Sequence, residues 1–181
     1  MYKIIALIGE AGSGKDRVMQ EVLAAAPDRF NEIISCTTRP MREGEQEGVN
    51  YYYLTKDKFI ENILANKMLE YTVFNGWNYG TSKDTLKKDK INIGVFNPEG
   101  IRNLLDNVDI DLTVFRVSCK DKTRLLRQLN RENDPNVQEI VRRFNTDFND
   151  FAILHFGYKT LTNETPEDLE ACVKEIMAEI D

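Results

Sequence analysis

Apolar residues fall along this chain in short runs separated by stretches with helical spacing. Lys3 to Ile8 is a β-branched apolar run that stops at Gly9, and from Asp16 to Ala26 the apolar positions Val18, Val22 and Leu23 recur with the period of a helix. The chain therefore opens as strand, glycine-rich loop and helix. The same reading predicts buried strands over Glu32 to Ser35, Ile91 to Phe96, Leu112 to Ser118 and Tyr158 to Leu161, with helical patterns at 99–106 and 120–132 between them. Apolar strands alternating with helices predict an α/β fold, a parallel sheet with flanking helices.

Two stretches break the alternation. Between Thr37 and Thr81 the pattern changes to short aromatic-rich runs, Tyr51 to Leu54 and Leu69 to Phe74, around a helix that Thr55 is placed to cap. A small mixed α/β insertion over 37–81 is expected, set into a core made of 1–36 and 82–181. Around 130–138 the chain is polar, contains Pro135 and has no apolar anchor before Val137, which suits a lid between two arginine-bearing helices. Thr165-Pro166-Glu167 places proline at the first helical position and an acid at the positive end of the dipole, so a last amphipathic helix begins there.

Length limits this plan to a single domain, since 181 residues match the ~100 to 200 that one domain uses. The apolar run before Gly9 is five residues long, far short of the ~20 that span a bilayer, and no signal-peptide layout follows. A cytoplasmic protein without a membrane partner is expected. Cys36, Cys119 and Cys172 are widely spaced, show no C-x-x-C pairing and read as buried free thiols. His155, the single histidine, lies in the apolar stretch FAILHF and reads as a packed ring without a catalytic role. A formal charge of −6 argues against a nucleic-acid surface and still allows a local basic cleft for small phosphates.

Such a cleft has a candidate in Gly9-Glu10-Ala11-Gly12-Ser13-Gly14-Lys15-Asp16, a G-x-x-x-x-G-K phosphate loop between a predicted strand and a predicted helix. Small residues let successive backbone N–H groups turn inward around phosphate oxygens, and Lys15 adds a compact charge for the β- and γ-phosphates. The bland alternative is a glycine-rich turn that only reverses the chain. Asp16 stands where such loops have Ser or Thr, so the motif is incomplete.

The stretch from Ser35 through Thr37-Thr38-Arg39-Pro40-Met41-Arg42 to Gly44-Glu45, followed by Gly48 and Tyr51, resembles the GMP-binding segment of guanylate kinases. The likeness continues through Met68-Leu69-Glu70-Tyr71 and Asn78-Tyr79-Gly80-Thr81, and beyond residue 81 it is weaker in sequence than in layout. It implies a P-loop nucleoside monophosphate kinase that uses ATP and Mg²⁺ to phosphorylate GMP or dGMP. By that resemblance Arg39, Arg42, Tyr51 and Tyr79 hold the acceptor's phosphate, which guanidinium forks and phenol donors suit. Glu70 would read guanine N1–H and its exocyclic amine, with Ser35 and Thr81 as hydroxyl contacts to the base. Arg131 lies within one position of a lid arginine that reaches the transferring phosphoryl, and Arg143 aligns with a second. Asn163 falls where the family has an asparagine beside adenine, although a simple turn asparagine is an equal reading.

The resemblance also has gaps. Family members end the strand over Ile91 to Phe96 with acidic residues, whereas Val95 and Asn97 occupy those positions here, and Glu132 stands where the first lid arginine aligns. Asp16 is the candidate replacement as the magnesium-directed carboxylate, because Mg²⁺ prefers hard oxygen ligands. Asn97 keeps an amide oxygen able to accept from the base, but it is neutral. Two other functions stay open: a deoxynucleoside monophosphate kinase of wider acceptor range, and a noncatalytic protein-binding module of the same fold.

Overall fold

The computed structural model describes residues 1–42, 44–74, 76–131 and 133–180. In chain order the elements are β1 (Tyr2–Ile8), α1 (Lys15–Ala25), β2 (Phe30–Glu32), β3 (Cys36–Thr37), β4 (Tyr52–Tyr53), α2 (Lys56–Leu64), β5 (Met68–Phe74) and β6 (Trp77–Ser82). They continue with β7 (Ile91–Val95), α3 (Pro98–Leu105), β8 (Ile110–Ser118), α4 (Asp121–Leu129), α5 (Val137–Asp150), β9 (Lys159–Thr162) and α6 (Pro166–Ala178).

Five strands form a parallel sheet in the order β2-β7-β1-β8-β9. The central strand β1 has both faces covered, which is why its apolar residues run without interruption instead of alternating. Ile5 and Leu7 point to one core with Val18 and Val22 of α1 and Cys172 and Ile176 of α6. Ile4, Ala6 and Ile8 point to the other with Ile101 and Leu104 of α3. Each of the large aliphatic side chains among these contributes about 1.5 to 3 kcal/mol of burial, so β1 is anchored from both faces.

The second sheet is mixed, in the order β4-β3-β6-β5, with β3 and β4 parallel and the other pairs antiparallel. It packs Cys36 and Met68 on Phe59 of α2, whose first turn is capped by the Thr55 side chain accepting from the Lys58 N–H. The register of β5 jumps between Met68 and Glu70, and this bulge sets Glu70 opposite Thr81. At the other end of the chain Thr165 and Asp168 form a reciprocal capping box on α6.

Three expectations need correction. The strand read over Glu32 to Ser35 lies earlier, at Phe30–Glu32, because the chain leaves the sheet edge once Ile33 has donated its last N–H to the Ile93 carbonyl. His155 is exposed in the irregular segment after α5, since neighbouring Phe151, Leu154 and Phe156 take the core contacts. Cys36 and Cys172 are buried free thiols, but Cys119 is only half-buried. Among the described residues no helix is long and apolar enough to cross a membrane.

Candidate active site

The phosphate loop leaves the carboxyl end of the central strand and enters the first turn of α1. Gly12 and Gly14 have φ of 82° and 87°, a left-handed backbone that favours glycine. A Cβ on Gly14 would also stand 2.4 Å from the Asn163 amide nitrogen, so a larger residue would have to displace that amide. Lys15 opens α1, is largely buried, and has its ammonium 3.7 Å from the exposed Asp16 carboxylate. Glu10 pairs with Arg116.

The loop is braced by helix α4 and the turn after β9. The Ala11 carbonyl accepts from Arg124 Nε at 3.1 Å and Gln128 Nε2 at 3.2 Å, and the Ser13 carbonyl accepts from Arg127 Nη1 at 3.1 Å and Asn163 Nδ2 at 2.9 Å. Asn163 is buried, so its amide is a brace for the loop. The Ala11 N–H, read from the sequence as a phosphate donor, goes to Asp147 Oδ2 at 2.8 Å.

On the second sheet, Arg39 is buried and forks onto Glu45 with both terminal nitrogens, at 3.0 and 2.7 Å. Its guanidinium lies 5.5 and 5.8 Å from the ring centres of Tyr51 and Tyr53, and the Tyr51 and Tyr79 rings are 6.0 Å apart. Glu45 also accepts from Tyr53 Oη and the Arg42 N–H, and the Arg39 fork is the main reason its carboxyl is pulled down to about 2. Burial raises the Tyr51 phenol, and neighbouring Tyr79 and then Asp16 add to that rise. The Arg42 side chain is exposed at its edge.

Beside this cluster Glu70 is buried, and its Oε1 accepts from Thr81 Oγ1 at 2.8 Å. Burial pushes its carboxyl up to about 7, against the opposing bonds from Thr81. Gly100 makes room for it: a Cβ there would sit 3.2 Å from Glu70 Oε2. Asn97 is the N-cap of α3, with Oδ1 accepting from the Gly100 N–H at 2.7 Å and Nδ2 donating to Thr72 Oγ1 at 3.3 Å. The oxygen read as an acceptor for the base is thus already bonded to the helix. Ser35, half-buried just before β3, accepts the Tyr52 N–H through its carbonyl. A cavity of about 190 Å³ opens between β5, α3 and α5, with Phe74, Asn97, Thr146 and Asp150 among its walls.

The family model for guanylate kinase matches residues 1–180. The chain belongs to the guanylate kinase family. It is 31% identical over 178 residues, 95% of each chain, to the guanylate kinase of Prochlorococcus marinus (strain MIT 9312). To that of Helicobacter hepaticus it is 29% identical over 176 residues, 94% of this chain and 87% of the relative. The crystal structure of guanylate kinase from Anaplasma phagocytophilum shares its fold, with a TM-score of 0.71 over 99% of this chain and 84% of that one, at 16% identity.

Within this guanylate kinase family fold, the expected lid arginines are not gathered at the phosphate loop. Arg131 is exposed on the segment between α4 and α5, and Arg143 Nε donates to Glu139 Oε1 at 2.9 Å. No hydrogen bond or ion pair joins either to the loop among the described residues. Glu132 lies outside the described residues. The residues that do grip the loop, Arg124 and Arg127 of α4 and Asp147 of α5, belong to no motif, and helix α4 turns its charged side inward. Arg124 is buried there while Leu125 and Leu126 are exposed. The available signal was the spacing of Arg124, Arg127 and Gln128, which puts three long polar side chains on one helix face.

Proposed function

We propose that this chain is an ATP-dependent guanylate kinase of the cytoplasm, transferring the γ-phosphoryl of ATP to GMP or dGMP to give ADP and (d)GDP. The observation that carries this reading is the buried Glu70–Thr81 pair, an acceptor pair for a base, on the same small sheet as Tyr79 of the Arg39–Tyr51–Tyr79 cluster. An acceptor phosphate oxygen attacks the γ-phosphorus in line, the bond from that phosphorus to the β–γ bridging oxygen breaks, and ADP leaves with the electron pair. No covalent enzyme intermediate is required. Lys15 offsets charge on the β- and γ-phosphates, and Arg131 and Arg143 would add to this when brought to the donor.

The exposed carboxylate of Asp16 fits a magnesium-directed role, being a hard oxygen at the end of the loop where Val95 and Asn97 offer no charge. Mg²⁺ held there with the donor phosphates would neutralise charge developing on them. Asp16→Asn is expected to raise the magnesium concentration needed for half-maximal rate and leave Tm nearly unchanged. If its magnesium titration overlays that of the parent, Asp16 serves only the helix dipole, worth about 0.3 to 1 kcal/mol.

Arg42→Ala is expected to raise KM for GMP about tenfold or more and leave KM for ATP close to the parent value, because a charged hydrogen bond to phosphate is worth about 1.5 to 3 kcal/mol. Equal effects on both substrates would move Arg42 out of the acceptor site. A second reading, a wider acceptor range, is favoured by Asn97, whose amide oxygen caps α3. Coupled ADP-release rates for GMP, dGMP, AMP, CMP and TMP separate the two, and absence of turnover with all five would overturn both.

A further inference from the structure

The two polar backbone groups of Ala11 are held by one ion pair. Asp147 Oδ2, on α5, accepts the Ala11 N–H at 2.8 Å and Arg124 Nη2 at 2.7 Å, while Arg124 Nε, on α4, donates to the Ala11 carbonyl at 3.1 Å. Arg124 is buried, lies with its Cζ 4.4 Å from the Phe144 ring centre, and also bonds Asp121. A pair that only tied α4 to α5 would not need the hydrogen bonds that both partners also make to the Ala11 backbone.

We propose that Arg124 and Asp147 are positioning residues for the donor-phosphate loop, setting its backbone from the two helices that flank the 130–136 segment. The proposal rests on the kinase reading of the site. A guanidinium is a rigid planar fork, so fixing two of its N–H groups, Nη2 on Asp147 and Nε on Ala11, fixes the distance between α5 and the loop. The Ala11 peptide groups cannot rotate without breaking a charge-assisted bond on one side or the other. Arg143 stands four residues before Asp147, on the same side of α5, so the arginine expected at the transferring phosphoryl is indexed to the loop through this contact.

The pair can be replaced by apolar residues of similar size, an exchange that is often neutral or stabilising for buried ion pairs. Arg124→Met/Asp147→Leu is expected to keep Tm at or above that of the parent, while calorimetry shows at least tenfold weaker binding of pyrophosphate. KM for ATP is expected to rise to a similar extent, with KM for GMP within twofold. Asp147→Asn, which removes one charge at constant size, is expected to show the same split between the two KM values. Pyrophosphate affinity within twofold of the parent in a folded double variant would overturn the proposal, and so would a parallel rise in both KM values. Loss of folding in both variants would overturn it too, by making the pair a structural brace. A parent protein that binds pyrophosphate and transfers nothing to GMP would instead remove the kinase reading, with the binding comparison still readable.

Discussion

Lys15→Ala is expected to fold like the parent and to lose about a hundred- to a thousandfold or more in kcat, the range found when a single preorganised charge or donor is removed from a transition state. Stability is expected to be little affected because, among the described residues, the ammonium has one ion-pair contact, 3.7 Å from an exposed carboxylate, and such pairs are worth less than about 1 kcal/mol. Catalysis is expected to depend on it because Lys15 begins α1, where the helix dipole favours an anion and its charge would add where the γ-phosphoryl separates. Thermal melts and a coupled ADP-release assay on the same preparation test both halves. Turnover like that of the parent would refute the kinase assignment.

Glu70→Gln is expected to erode the preference for guanine over adenine and to abolish a pH dependence of acceptor binding. A carboxylate only accepts, which suits the two donors on guanine, whereas an amide can also donate toward adenine N1. In the free protein burial holds the Glu70 carboxyl near 7, so a fraction is protonated at neutral pH. Guanine binding favours the ionised form, so KM for GMP is expected to rise as pH falls below about 7, in addition to any titration of the nucleotide's own phosphate. That addition disappears in Glu70→Gln. The same raised carboxyl makes the free fold bind a proton that the unfolded chain releases at lower pH. Its contribution to stability is therefore fully present below the unfolded value and lost as pH rises through about 7. An unchanged ratio of kcat/KM for GMP over AMP in the variant would place base reading elsewhere.

The phosphate loop and the small sheet were legible because their residues obey local rules. Glycines at positive φ, a cap at Thr55 and a box at Thr165 leave a mark in a few neighbouring residues. Asp147 left none and Arg124 only its spacing with Arg127 and Gln128, because their burial depends on a partner far along the chain. On α4 hydrophobic patterning points the wrong way, with leucines outside and arginines against the loop. Asn97 shows a related limit: its place in the motif suggested contact with a base, and its place before Pro98 made it a helix cap. Glu45 was visible as part of the acceptor motif, but only the fold reveals that it holds Arg39 by both nitrogens.

The central place of β1 has a consequence for how the protein comes into being. Lys3 must find Ile91 on one side and Tyr2 must find Ile110 on the other before the strand that carries the phosphate loop has its neighbours. Pairings so distant in sequence form slowly, because the closure entropy of a long loop precedes any gain from the contact. During synthesis this loop is made before β7 and β8, the strands that flank β1, and it is organised only after them. Until β7 has emerged, the nascent chain carries the whole loop motif and neither of the strands that flank it.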